Sequence, residues 1–239
     1  GMLFGSNIAD LTLLFAVIIF IVGRNLSVEG KIIKNHVVYP FMLLLPLVLG
    51  LNGHYSRFEG IALILTGGIF YYLALKNGVD NSVSLNSSNN KVKNSFLLLL
   101  SMALMLTGSH FTVTAATSLA NYIGVSTLLI GMLVVALGTT MPEFFFSLKS
   151  VKKHDDSLAI GDILGTVLAD ATIVVGILAL INPFYFPTKI IYTTGAFMVV
   201  ASFILFSFMK SGKTLSKKEA FALFVFWLIF IFVEFIVNK

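Results

Sequence analysis

Gly1-Met-Leu-Phe-Gly-Ser-Asn-Ile-Ala-Asp-Leu-Thr12 and Gly161-Asp-Ile-Leu-Gly-Thr-Val-Leu-Ala-Asp-Ala-Thr172 share one pattern, Gly-x-x-x-Gly-[Ser/Thr]-x-x-Ala-Asp-x-Thr. The offset between them is 160 residues and does not drift: Arg57-Phe-Glu59-Gly-x-x-Leu63 falls on Lys217-Lys-Glu219-Ala-x-x-Leu223 at the same spacing. The chain is therefore a duplication. Each copy sets an aspartate, Asp10 or Asp170, inside a long apolar run. An aspartate near the centre of a bilayer costs about 2.5–3.5 kcal/mol on insertion scales, so the fold has to compensate it.

The runs around these motifs are apolar throughout. Of 239 residues, 57% are hydrophobic and 11% charged, a balance that suits a bundle of membrane helices and not a soluble domain. The absence of cysteine excludes disulfides, thiolate metal sites and thiol nucleophiles. A net charge of +5 would suggest nucleic acid for a soluble protein, but here the basic residues collect in loops, and no nucleic-acid partner is expected. The first run is not a signal peptide, since Arg24 follows it and no basic segment precedes it.

Apolar runs at about residues 6–23, 37–52, 58–76, 95–120, 123–148, 158–181, 189–209 and 219–237 predict eight membrane helices. The second is short and carries Pro40 and Pro46. The Asn- and Ser-rich stretch 77–94 reads as a linker between a first repeat, 1–76, and a second repeat, 95–239. Alternating the loops places thirteen Lys and Arg on one face and three, Arg57, Lys189 and Lys239, on the other. The basic excess predicts a cytoplasmic linker and extracytoplasmic termini, with the plasma membrane as the expected location. The second repeat has five spans and the first has three. An odd-numbered unit reverses its orientation when copied. The expected fold is thus an all-α integral membrane protein, an inverted-topology repeat of five-helix units with eight of ten helices present. The other two would be upstream sequence or a separate chain.

As a helix, the stretch from Gly161 to Thr172 puts Gly161, Gly165 and Ala169 on one stripe, where another helix could approach closely. Asp162, Thr166 and Asp170 fall on the adjacent stripe, and Met2, Ser6 and Asp10 match them in the first copy. The segment Ala136-Leu-Gly-Thr-Thr-Met-Pro-Glu143 holds Pro142, which clashes with the Gly138 carbonyl and must break its helix. Carbonyls freed there, two threonine hydroxyls and Glu143 are the ingredients of a hard-cation site; a plain proline kink with Glu143 reaching the surface is the simpler alternative.

At this point the residues resemble a family. Gly138-Thr-Thr-Met-Pro-Glu143 followed by Gly161-Asp-Ile-Leu-Gly-Thr-Val-Leu-Ala-Asp170 is similar to the second signature repeat of cation/calcium exchangers, and Gly1 to Asp10 to the latter part of the first. The resemblance implies ten helices in two inverted halves, with Na+ and Ca2+ bound midway. It implies Glu143 as the principal ligand of its half, Thr139 and Thr140 as hydroxyl ligands and Ala136 as a carbonyl ligand. Ser6 and Thr166 would flank the Na+ positions, and Asp10 and Asp170 would complete the central site. Two positions depart from the family pattern: Asp162 stands where Asn is usual, which bears on the coupling ion, and Met2 offers no ligand at the matching place.

The implied activity is a secondary antiporter that moves Ca2+ against Na+ by alternating access, with these ions as substrates, no cofactor and no enzyme chemistry. Proton-coupled Ca2+ exchange and a non-transporting membrane subunit are the alternatives. An intramembrane aspartyl protease is disfavoured, because Leu158-Ala-Ile-Gly-Asp162 lacks the first glycine of Gly-x-Gly-Asp and no Tyr-Asp pair exists. His110 reads as a packed or hydrogen-bonded residue, Glu59 and Glu219 as helix caps, Glu234 as a snorkelling or paired carboxylate, and Lys152-Lys-His-Asp-Asp156 as a solvated turn.

Overall fold

Apolar runs with few internal polar groups satisfy their backbone only as helices in a bilayer, and helices dominate the chain. The computed structural model describes residues 2–28, 38–78, 91–124 and 135–237. In order, these form α1 (Met2–Val22), β1 (Leu26–Ser27), α2 (Val38–Leu49), β2 (His54–Tyr55), α3 (Arg57–Gly78), α4 (Lys91–Ile123), α5 (Ala136–Thr139), α6 (Met141–Lys152), α7 (Asp156–Ile181), β3 (Phe184–Tyr185), α8 (Ile191–Gly212), β4 (Thr214–Leu215) and α9 (Lys217–Val237). Among the described residues, α1, α3, α7, α8 and α9 are long and apolar enough to cross a membrane. The protein is an all-α integral membrane protein.

Helices occupy the expected runs among the described residues, with ends shifted by a few residues, the run at 123–148 being described only at 123–124 and 135–148. The linker is the exception. Helix α3 runs through Gly78 and α4 begins at Lys91, so residues 77–78 and 91–94 are helical and not linker. Residues 79–90 lie outside the described residues, as do 125–134 of the span expected at 123–148, Gly1 of the opening motif, and Lys31, Lys34 and Lys239 of the charge count. The proline-bearing α2 does form, with Pro46 inside it and its carbonyl accepting from Tyr55 Oη at 2.6 Å.

The duplication is visible bond by bond. Ser56 and Glu59 form a capping box in which Glu59 Oε2 accepts from the Ser56 amide and hydroxyl, both at 2.7 Å. Ser216 and Glu219 repeat it 160 residues later, at 2.8 and 2.7 Å. Each central helix widens into one π turn beginning at its aspartate, Asp10–Leu14 and Asp170–Val174. In each, the threonine two residues on returns its hydroxyl to a carbonyl one turn back: Thr12 to Ile8 at 2.5 Å and Thr172 to Leu168 at 2.6 Å. The repeated Asp-x-Thr thus builds the wide turn and satisfies the backbone it disturbs.

Reciprocal contacts join the copies. The first half of α1 packs on the π turn of α7, and the first half of α7 on the π turn of α1. Strand β1 pairs antiparallel with β4, and β2 with β3, so each short ribbon draws one strand from each copy. Gly53 and Lys213, matched by the offset, both take left-handed backbone, φ 75° and 53°, before β2 and β4. Helix α3 crosses α7 at glycines: a Cβ on Gly60 would lie 2.7 Å from the Gly176 carbonyl oxygen, and one on Gly176 equally close to that of Gly60. The expected packing stripe is not where the close approach falls among the described residues: there, nothing stands within 4 Å of a Cβ on Gly161, and Gly165 meets the Tyr71 hydroxyl at 3.6 Å. Helix α4 lies at the edge, with Ala116 its one buried side chain among the described residues.

Candidate cation site

The first residues of the two π turns, Asp10 and Asp170, face one opening, and α5, which packs on the first half of α1, brings Thr139 to it. The chain between α5 and α6 breaks at Thr140, with Pro142 in the first turn of α6, as its missing N–H dictates. The broken turn carries Thr139 and Glu143 to the same opening that α1 and α7 line. The result is a cavity of about 200 Å³ bounded by Ser6, Asp10, Thr139, Glu143, Thr166 and Asp170, with Met2 and Leu3 at its edge. All six polar residues are ones the sequence singles out.

The remaining three expected residues are placed differently. Thr140 is buried beside Asp10 and donates to the Ala136 carbonyl at 3.0 Å. That carbonyl also accepts from Thr139 Oγ1 at 2.8 Å and from the Thr140 amide at 3.2 Å. The carbonyl expected to be free is therefore covered by the hydroxyls of its own turn. Asp162 does not border the cavity, but stays within electrostatic reach of Glu143 and Asp10.

The chemistry of the opening is that of an acceptor surplus. Among the described residues, the buried oxygens Asp10 Oδ1 and Glu143 Oε2 have no hydrogen-bond partner, and neither has Asn7 Oδ1. Buried carboxylate oxygens without donors are costly, and a cation is the simplest partner that removes the cost. No three His, Cys, Asp or Glu side chains among the described residues come close enough to hold a metal by themselves. Hydroxyls would have to share the coordination, which suits a hard cation that takes oxygen of any kind. A larger recess of about 650 Å³ between α8 and α9 has Ser207 as its one polar lining residue and no carboxylate.

Several polar residues fall outside the expectations. Asn7 is fully buried and donates to the carbonyl of Val167, its own counterpart at the 160-residue offset, at 3.1 Å. The polar-for-apolar mismatch at this pair is the sequence signal that marks it. Of the two expectations for Glu234 the paired one holds: it is 1% exposed and accepts from Thr194 Oγ1 at 2.5 Å. The turn 152–156 is not simply solvated either. Asp155 caps α7 through the Leu158 amide, while Asp156 is buried in a fork–fork pair with Arg24, both contacts at 2.7 Å. Arg24 also donates to the Val151 carbonyl, and the Ser27 amide to Asp156. His110 is exposed on α4 beside Phe111 and is not packed into the core.

Comparison with known proteins finds relatives over most of the chain. The inner membrane protein YrbG of Escherichia coli is 28% identical over 198 residues, covering 77% of this chain and 60% of that protein. The sodium/calcium exchanger MaX1 of Methanosarcina acetivorans is 28% identical over 143 residues, 60% of this chain and 41% of that protein. The chain thus spans less than two thirds of the length of either. Among solved structures, the sodium-calcium exchanger NCX_Mj soaked with 10 mM Na+ and zero Ca2+ superimposes with a TM-score of 0.71 at 25% identity, covering 96% of this chain and 74% of that one. Residues 93–236, more than half of the sequence, match the sodium/calcium exchanger protein family. With its paired aspartate turns and its Pro-Glu break gathered around one opening, the chain belongs to the sodium/calcium exchanger family.

Proposed function

We propose that this protein is a secondary antiporter that exchanges Ca2+ for Na+ by alternating access. The observation that carries the reading is the 200 Å³ opening between membrane helices, where Asp10, Glu143 and Asp170 are joined by hydroxyls and two buried carboxylate oxygens lack partners. Ca2+ takes six to eight oxygens, and carboxylates with hydroxyls supply that kind of donor. Na+ neutralises the same groups when Ca2+ leaves, so the ions compete for shared ligands, and the competition couples their fluxes. Glu143 and Asp170 act as the main charged ligands, with Asp10 completing the centre. Ser6, Thr139 and Thr166 contribute hydroxyls, and Thr140 and Ala136 shape the broken turn. The basic face is cytoplasmic.

A second reading, proton-coupled exchange, draws on Asp162, which adds a fourth carboxylate within electrostatic reach of Asp10. Reconstitution in lipid vesicles separates the two: Ca2+ uptake follows an imposed Na+ gradient under the first and a pH gradient under the second. Under either, Glu143→Gln and Asp170→Asn each abolish gradient-driven uptake. Full uptake in both variants sinks the site, and Ca2+ binding without flux in the unaltered protein supports a non-transporting subunit instead.

A further inference from the structure

Helix α7 carries two hydrogen bonds that α1 has no means of repeating. Tyr39 Oη, from α2, donates to the Leu164 carbonyl at 2.7 Å, and Tyr71 Oη, from α3, donates to the Gly165 carbonyl at 2.5 Å. The carbonyls are consecutive. The next residue, Thr166, borders the cavity, and Asp170 follows one turn later. Tyr39 is buried against Phe70 and Phe206, and Tyr71 lies within electrostatic reach of Asp170. In the other copy the tyrosine positions are held by Val199 and Ile231, which have no hydroxyl to offer the turn at Phe4 and Gly5. Among the described residues Ser6, the counterpart of Thr166, is tied only to its own helix, through the Leu3 carbonyl at 2.9 Å.

A mid-helix carbonyl keeps a second lone pair after its intrahelical bond. A phenol from a neighbouring helix uses it without disturbing the ladder, and in a dry interior no water competes for the donor. Two such bonds on successive residues restrain both the rotation and the sliding of that turn. We propose that Tyr39 and Tyr71 are positioning residues for Thr166 and Asp170, making the α7 side the rigid half of the site and the half that discriminates cations by size. A fixed set of oxygens separates cations of different radius, whereas a compliant one follows them. The inference deepens the exchange reading and rests on it for its flux measurement, but not for its structural one.

The test uses the full chain in lipid vesicles, with Tyr71→Phe and the Tyr39→Phe/Tyr71→Phe double variant, which keep the rings and remove only the hydroxyls. Uptake of Ca2+ and of Ba2+ is measured over a concentration series, and amide hydrogen exchange is followed across 164–170 and across 4–10. The expected result is a preference for Ca2+ over Ba2+ reduced about three- to tenfold, the scale of one lost hydrogen bond, through KM and not through the maximal rate. Exchange rises at 164–170 and stays level at 4–10. Unchanged exchange at 164–170 in the double variant overturns the positioning role. Raised exchange with an unchanged Ca2+/Ba2+ ratio overturns the discrimination. If the unaltered protein carries no flux, the antiport reading falls, and the amide exchange alone decides whether the tyrosines hold the turn.

Discussion

Asp10 is 2% exposed at the π turn of α1, whereas Asp170, its counterpart on α7, remains half-buried. The helices around them differ in the same sense. At the crossing of α3 with α7 the chain uses Gly60 and Gly176, and at the matching places it uses Ala220 and Ala16, both fully buried. Phenol hydroxyls tie the α7 turn, while the corresponding positions around α1 are aliphatic. The duplicated backbone is therefore nearly twofold and its side chains are not. What the two halves share is the machinery of the wide turn; what separates them is how firmly that turn is held.

The largest test of this contrast is at the glycine crossing. Gly176→Val puts a Cβ against the Gly60 carbonyl oxygen and the Ile64 side chain, at 2.7 and 2.8 Å, with backbone on one side that cannot yield. A loss of about 3 kcal/mol or more is expected, read as a lower thermal midpoint in detergent. The matched change Ala16→Gly enlarges nothing and costs about 1 kcal/mol of helix propensity. Equal losses at the two places would mean that the crossings do not differ. Next is the Arg24–Asp156 pair, which joins the loop after α1 to the start of α7 and has no charged equivalent, since Phe184 matches Arg24. With side-chain exposures of 31% and 7%, the pair lies between surface and interior, and Arg24→Gln is expected to cost about 1–3 kcal/mol in chemical denaturation. A loss within error would reduce this tie to decoration. The smallest effects belong to Thr12→Val and Thr172→Val, each removing one hydroxyl from a helix carbonyl. About 1 kcal/mol apiece is expected, and equal within error, because here the halves are alike. A clear inequality would carry the asymmetry into the turns themselves.

Much of this was legible in the residues. The 160-residue offset matched both aspartates and both helix-capping glutamates, because a cap is local and needs only residues close in sequence. Pro142 announced the broken helix through its own sterics. The six polar residues around the opening could be chosen from motif spacing alone. What escaped was decided between helices. Small residues at i and i+4, as at Gly161 and Gly165, look alike whether or not a partner arrives; among the described residues the close backbone approach is at Gly176. Tyr39 and Tyr71 sit far from any motif, and a phenol on an apolar helix gives no sign of which carbonyl it will meet. Asp156 looked solvated because its neighbours are Lys and His, and only the fold brings Arg24 across to bury it.

The π turns have one more consequence. Such a turn accommodates one residue beyond the α-helical count, and in sequence terms that is an insertion. Both copies carry it from the same aspartate, at the same offset and closed by the same threonine bond. Two independent insertions would have had to land on one register, so the unit that was copied already contained the widened turn. The half-sites are in that sense older than the difference between them. Glycine crossing, tyrosine ties and the Arg24 pair are each found in one copy only, so these differences came after the duplication.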